Sequence, residues 1–304
     1  MREVKTCFLI VFFLLVNKMY CQQDPQYTQY MYNMSVVNPA YAGSNDYISL
    51  GLLYRNQWTG FNGAPETGTF FGHAPIGSSL GFGVSAITDN IGPLTETNVY
   101  SDVSYTIKLE NKHRLAFGIK LGVTFHNIGL TGLDIIDEND PFFSQNISEV
   151  TPNVGGGLFY YTDNYYIALS APNLLAAVHL DNNGLRLGSE TQHYFLTSGY
   201  VLDISENIKL KPSFLLKSAF EASTSFDANL NALFYEKFEL GVSYRLEDSI
   251  SGLVNFSITP SIKIGYAYDA VSSQIKAFAP ASHEVFLLFN IDLPSRAAIS
   301  PRFF

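Results

Sequence analysis

The sequence is poor in charge and in cysteine. Charged residues make up 15% of its 304 positions, well below the roughly 25% usual in soluble globular proteins. The two cysteines, Cys7 and Cys21, both lie in the first 21 residues. The remainder of the chain can therefore form neither a disulfide framework nor a thiolate metal site. Its fold has to be held by packing and strand pairing.

The apolar runs are also short. The run at residues 7–16 spans ten residues behind Arg2 and Lys5, which is too short for a membrane-spanning helix but suits the core of an export signal. We expect residues 1–21 to be a signal peptide. Lipidation of Cys21 is the disfavoured alternative, because the residues directly before it are not small.

Instead of long apolar runs, the sequence contains segments in which apolar residues alternate strictly with small or polar ones. Residues 115–126, LAFGIKLGVTFH, are apolar at every second position and small or polar between. Successive side chains of a strand point to opposite faces, so the pattern predicts a strand with one apolar face. Its length suits a tilted strand that crosses a bilayer, which needs about 9 to 11 residues. The 24 Phe and 19 Tyr fit lipid-facing strands with aromatic girdles.

The whole chain after residue 46 can be divided into such strands. We predict an all-β fold, a transmembrane antiparallel outer-membrane β-barrel of about 14 strands, over residues 47–293. An even strand number is typical of single-chain bacterial barrels. The predicted strands are 47–58, 66–74, 79–89, 95–109, 113–126, 152–161, 165–170, 191–203, 208–218, 225–234, 238–245, 249–258, 262–269 and 282–292.

The lengths of the connections support this order. Every second connection has three or four residues, whereas the three longest, 127–151, 171–190 and 271–281, all fall on the other side. Short turns are typical of the periplasmic side and longer loops of the outer side. The pattern predicts that both termini are periplasmic. A soluble sandwich is disfavoured, because it would put charge rather than Ile and Tyr on its solvent face.

The segments that flank the barrel do not alternate. Residues 22–46, here called the leader, are rich in Tyr, Gln and Asn. We interpret the leader as a loose extension or as a plug that enters the lumen. Residues 294–304 are predicted to form a C-terminal periplasmic tail.

Catalytic and metal motifs are weak. The six histidines show no HExxH spacing, and a hydrolase site assembled from His126, Ser85 and Asp102 has no feature that singles it out. Loop 127–151 is acidic but lacks the spacing of an EF-hand. We predict no enzyme activity, no cofactor and no metal site, and we interpret as solvated the acidic residues Asp134, Asp137, Glu138 and Asp140.

Ordered blocks along the chain carry a family resemblance. They are QDPQYTQYMYN (23–33), VNPAYAGS (37–44), YRNQWTGFNGAPET (54–67), DNIGP (89–93), LSAPNLL (169–175), LKPSFLLK (210–217), ITPSIKIGYAYD (258–269), SHEVFLLF (282–289) and SPRFF (300–304). With these blocks the chain resembles the PorP/SprF family of type IX secretion outer-membrane proteins.

The resemblance implies a location in the bacterial outer membrane and a role in protein secretion. It implies export, binding or surface anchoring of secreted proteins that bear a C-terminal sorting domain, such as adhesins or enzymes, and in some members gliding motility. The implied partners are such a secreted protein, periplasmic components of the secretion system and outer-membrane lipid. The net charge of −9 argues against nucleic acid as a partner. The alternative function is transport of small apolar or saccharide solutes.

The resemblance also singles out a few residues. Asn38, Pro39, Ala40 and Tyr41 lie in a leader block, and Arg55 and Trp58 lie in the YRNQW sequence. One interpretation is that these six anchor the leader inside the barrel. The favoured interpretation is that they fix the fold and touch no partner.

Overall fold

The structure is a computed structural model that describes residues 25–133, 143–175, 178–182, 185–189, 191–219 and 222–293. The predicted signal peptide, Cys21, the four acidic loop residues and the C-terminal tail lie outside these ranges. Within the described ranges there is no helix long and apolar enough to cross a membrane.

The described part of the chain contains seventeen strands. They are β1 (Tyr47–Asn56), β2 (Glu66–Ile76), β3 (Leu80–Ile91), β4 (Leu94–Lys108), β5 (Arg114–Ile128), β6 (Ile147–Tyr161), β7 (Tyr165–Ala171), β8 (Val178–Asn182), β9 (Leu185–Ser189), β10 (Tyr194–Tyr200), β11 (Leu202–Ser205), β12 (Ile208–Ala219), β13 (Ala222–Phe234), β14 (Phe238–Arg245), β15 (Ser249–Thr259), β16 (Ile262–Val271) and β17 (Ala281–Asp292).

These strands form a closed antiparallel barrel. Sequential neighbours pair, β1 pairs with β17, and β10 pairs with both β7 and β12. β10 and β11 both pair with β12 and together count as one wall strand, and β8 and β9 form a separate sheet. The wall therefore has fourteen strands, and the predicted all-β barrel is confirmed. The separate hairpin of β8 and β9 lies in the connection between β7 and β10.

The alternation within β5 has the predicted consequence. Phe117, Ile119 and Leu121 are exposed on the outer face, while Lys120 is buried on the lumen face. A charge on the lipid face would cost about 2–4 kcal/mol at the bilayer midplane. This cost holds the register of β5, in which Lys120 lies opposite Asp102 of β4.

One wall strand is interrupted. Gly199 pairs with Ser213, and the next regular pair on that side is Leu202 with Leu210. Pro212 lies opposite this break. Because proline has no N–H for the strand ladder, it is tolerated where pairing is already interrupted.

Two of the three long connections, 127–151 and 171–190, contain more strand than predicted. β5 and β6 extend by pairing as far as Ile128 and Ile147, so the first loop shrinks to residues 129–146. The predicted loop 171–190 contains the β8–β9 hairpin. The extension of β6 arises in polar sequence that does not alternate strictly, whereas β8 and β9 are short alternating stretches, VHLDN and LRLGS, within the predicted loop.

The two mouths of the barrel are distinguished by their connections. Connections at one mouth have two to five residues, whereas 129–146 and 172–193 lie at the other. By the usual asymmetry we call these the inner, periplasmic mouth and the outer mouth. Tyr47 and Asp292 pair at the inner mouth. The described leader starts at Pro25, which lines a cavity near the outer mouth, and runs down the lumen to β1 at the inner mouth.

Candidate functional site

The leader lies inside the barrel. Its described residues form a 3-10 turn (Tyr30–Tyr32), a short helix α1 (Met34–Val37) and a second 3-10 turn (Pro39–Tyr41). Nearly all of them are buried. These elements are too short to be stable alone, so the lumen wall has to hold them.

An ion-pair cluster near the outer mouth holds the start of the leader. Arg55 of β1 lies 2.8 Å from Asp269 and 3.2 Å from Glu284. The backbone N–H groups of Thr28 and Gln29 donate to Glu284 at 2.9 and 2.8 Å. The Thr28 hydroxyl donates to Asp269 at 2.9 Å and accepts from Arg55 at 3.0 Å. We call these five residues the outer latch.

Successive tyrosines of the leader point into the barrel wall, and their hydroxyls bond to polar side chains of different strands. The Tyr27 hydroxyl bonds to Thr69 at 2.9 Å, and that of Tyr30 accepts from Asn229 at 3.2 Å. Each ring is packed among apolar groups while its hydroxyl finds a polar partner. Tyrosine satisfies such a site because it combines an apolar body with a polar tip.

Tyr32 has the most charged surroundings. Its hydroxyl donates to Glu239, and its ring stacks on Phe286 with centroids 4.6 Å apart. The ammonium groups of Lys263 and Lys211 lie 4.9 and 5.5 Å from the ring centroid. Cations near an aromatic face are attracted by its quadrupole, so this site fixes the lower part of the first turn.

Glycines let the leader backbone touch the wall. A Cβ at Gly118 would come within 2.1 Å of the Ala40 nitrogen, and one at Gly157 within 2.0 Å of the Asn38 Oδ1. The Asn38 side chain accepts from the Ala40 N–H and donates to the Leu158 carbonyl, both at 2.9 Å. Asn38 therefore caps the second turn and ties it to β6.

Two more of the singled-out residues lie in this region. Pro39 begins the second turn, where its fixed φ suits the first helical position. The Tyr41 ring meets His73 and Phe159 edge-on, with centroids 5.3 and 5.2 Å apart. Trp58 lies elsewhere, in the outer connection after β1, where its backbone N–H donates to Ser282 at 3.0 Å.

Sequence reasoning did not identify Tyr32, Thr28 or the two carboxylates of the outer latch. The tyrosine-rich spacing of the leader was visible in the sequence. Asp269 and Glu284 lie 241 and 256 positions from Thr28, and no local pattern connects such distant positions.

Strands β4 and β5 contain a second buried pair. Lys120 lies 2.9 Å from Asp102 and 4.9 Å from the centroid of the Tyr100 ring. His126 lies 3.6 Å from Glu96. Glu96 is six positions along β4 from Asp102, so His126 and Asp102 are about 20 Å apart. His126 and Asp102 are therefore not brought together as a catalytic pair. Within the described ranges, no group of three or more potential ligand side chains could hold a metal ion.

The leader divides the remaining lumen into two cavities. The outer cavity measures about 90 Å³ and the inner one about 560 Å³. Tyr30 lines the outer cavity, whereas its neighbours Met31 and Tyr32 line the inner one. The first leader turn thus separates the two sides of the barrel.

Comparisons with known proteins agree with this architecture. A family profile described as type IX secretion system membrane protein PorP/SprF matches residues 20–289. No protein in the curated set matches the chain significantly.

Solved outer-membrane barrels share the fold. The CymD monoaromatic hydrocarbon channel is 12% identical, with a TM-score of 0.51 over 86% of this chain and 92% of that chain. The Ralstonia pickettii toluene transporter TbuX is 12% identical, with a TM-score of 0.51 over 85% and 93%. Together with the family match, they identify the protein as an outer-membrane barrel.

Proposed function

The chain belongs to the PorP/SprF family of type IX secretion system membrane proteins, and from this premise we propose that it holds secreted proteins at the cell surface. In this proposal it is a non-enzymatic barrel that helps to export, bind or anchor proteins with a C-terminal sorting domain. Periplasmic components of the secretion system would meet its inner mouth.

The filled lumen is the observation that carries the proposal. The outer latch, the three tyrosines and the close contacts at Gly118 and Gly157 tie the leader to the wall. A barrel blocked in this way offers no passage to a folded protein. Its function is therefore better explained by binding at a mouth than by conduction.

The outer mouth supplies the surface for such binding. Connections 129–146 and 172–193 are the two longest of the barrel, and both join strands at the outer mouth. Loops of this length beyond the barrel wall are often functional. We propose that they contact the secreted partner.

Replacing both long loops with two-residue Gly-Ser turns is expected to release the partner. The deletions are 129–146 and 172–193, which leave every wall strand intact. In the native bacterium, we expect at least a tenfold shift of sorting-domain proteins from the cell surface to the medium. Quantitative mass spectrometry of both fractions measures this shift.

The matched control replaces outer residues 272–280 with an equally long Gly-Ser sequence and should retain the partner. Heat-modifiable migration shows whether each variant is a folded barrel. Unchanged surface retention in the folded double-loop variant would refute the loops as the contact.

Transport of a small apolar or saccharide solute is the second candidate. The apolar and aromatic lining of the outer cavity favours it, since Ile87, Phe195 and Leu215 are among its walls. Transport would require the leader to move, because the first turn separates the two cavities.

A further inference from the structure

The inner cavity is the larger of the two spaces that the leader leaves in the lumen. Its volume of about 560 Å³ is within the range of roughly 300–1,000 Å³ typical of ligand sites. Met31 and Tyr32 of the first leader turn line one side of it, and Tyr235 and Pro260 of two wall turns line another. Since those turns lie at the inner mouth, the cavity is open to the periplasmic side.

Positive charge is concentrated around this cavity. Lys209 of β12, Lys237 in the turn after β13 and Lys263 of β16 line it, and among its described lining residues Glu236 is the one carboxylate. The lining thus has an excess of two positive charges, in a chain whose net charge is −9. The described lining of the outer cavity, in contrast, has two carboxylates and two cations. The inner cavity is therefore the one that favours an anion.

The three ammonium groups are accessible from the cavity. Lys209 lies 3.2 Å from Glu236, and Lys263 lies 3.7 Å from Glu239, yet each lysine side chain is still 22% exposed. Lys237 is exposed in its turn, and no residue in the described ranges forms an ion pair with it. An anion in the cavity could therefore add to these contacts without first breaking a buried pair.

An aromatic and aliphatic surface lies beside the lysines. Following the wall from β16, the next strands contribute Leu288 of β17 and Phe71 of β2 to the lining. Tyr41 of the leader adds a second ring, which meets His73 of β2 edge-on. A few charged groups beside an apolar surface can orient a ligand that has one charged and one apolar end.

We propose that the inner cavity binds an organic anion in which a carboxylate or phosphate group is joined to an aromatic or aliphatic body. The anionic group pairs with the lysines that line the cavity, and the apolar body packs against Phe71 and Leu288. The positive lining also raises the local concentration of such anions at the mouth. This site goes beyond the proposed anchoring function, because it concerns the inner mouth and a low-molecular-weight ligand.

The test follows two defined anions, 4-fluorobenzoate and 4-fluorophenyl phosphate, by ¹⁹F NMR with the purified barrel in micelles of an uncharged detergent. The uncharged probe is 4-fluorobenzamide, and inorganic phosphate is the competitor without an apolar body. We expect saturable binding of at least one anion, with the benzamide and inorganic phosphate each at least tenfold weaker. Added NaCl should weaken binding of the anion, because salt screens the lysine charges.

Substitutions in the cavity identify the groups that bind. Lys209→Gln and Lys237→Gln should each weaken anion binding about threefold to fivefold, and the double variant about tenfold or more. Leu233→Trp, which fills part of the cavity, should weaken it as well. Lys112→Gln is the matched control, because Lys112 lies in another inner turn, outside the cavity, and pairs with Asp163 at 2.8 Å. It should bind the anions as the wild-type protein does.

Several results would overturn the site. They are absence of saturable binding of both anions by the wild-type barrel, equal binding of the anions and the benzamide, or unchanged binding by the folded double variant. Equal weakening by Lys112→Gln would mean that the mouth attracts anions as a whole and that the cavity is not their site. Heat-modifiable migration and protection of the leader from chymotrypsin confirm that each variant is intact.

Two further competitors distinguish the sources of such an anion. Displacement of the fluorinated anion by lysophosphatidylglycerol, but not by lysophosphatidylcholine, would identify an anionic lipid as the ligand. Displacement by neither would identify a water-soluble anion. Because these experiments do not involve a secreted protein, their failure would leave the anchoring function standing.

Discussion

Replacing Arg55 with leucine is expected to destabilise the barrel by about 3–5 kcal/mol and to free the start of the leader. Arg55 is 2% exposed and neutralises two buried carboxylates, Asp269 and Glu284. Its removal leaves both charges buried without their cation. The Thr28 hydroxyl also loses the donor that orients it. Urea unfolding in lipid vesicles measures the free energy, and protection from chymotrypsin reports on the leader.

The control is a more exposed pair of opposite charges, in which Lys209 is half-buried and Glu236 is exposed. Lys209 and Glu236 lie 3.2 Å apart at the inner mouth, and Lys209→Leu should cost less than about 1 kcal/mol. Adding Asp269→Asn and Glu284→Gln to Arg55→Leu should recover part of the loss, because the buried charges disappear. A stable Arg55→Leu barrel with a protected leader would contradict the role of the outer latch.

Replacing Gly118 with alanine is expected to displace the leader while leaving the barrel wall intact. The added Cβ would lie 2.1 Å from the Ala40 nitrogen and 2.3 Å from the Pro39 carbonyl carbon. Both are backbone atoms, so no side chain can rotate away to make room. With the leader displaced, the two cavities join, and we expect steady conductance in planar bilayers where the wild-type protein shows none.

Gly68→Ala is the matched control, because a Cβ there meets nothing within 4 Å. It should behave like the wild-type protein. A closed Gly118→Ala barrel with a protected leader would show that this contact does not seat the leader. Steady conductance of the wild-type barrel would contradict a sealed lumen and would favour the transport alternative.

The barrel itself could be predicted because the features that specify it, the alternation within each strand and the lengths of the turns, can be read from short stretches of sequence. One charge in an alternating strand, such as Lys120, fixes which face meets lipid, and the short turns then fix the direction of every strand. In the structure, Lys120 lies on the lumen face beside the carboxylate of Asp102. Extensions such as Ile147 at the start of β6 were missed because the sequence around it is polar and does not alternate strictly.

The contacts of the leader were harder to predict. Tyr32 is recognisable as an aromatic residue, but its partners Glu239, Lys263 and Lys211 come from three separate strands. Barrel closure brings these strands around one ring. A pattern within any one segment cannot specify such a site.

The most direct test of the anchoring function is recovery of the partner from the membrane. The barrel should be extracted in mild detergent from the native bacterium, purified through an inserted affinity tag, and analysed by quantitative mass spectrometry. We expect a large protein with a C-terminal sorting domain to co-purify with the wild-type barrel, and its yield to fall at least tenfold with the folded double-loop variant. Equal recovery with both barrels, or no sorting-domain protein with the wild-type barrel, would contradict the account.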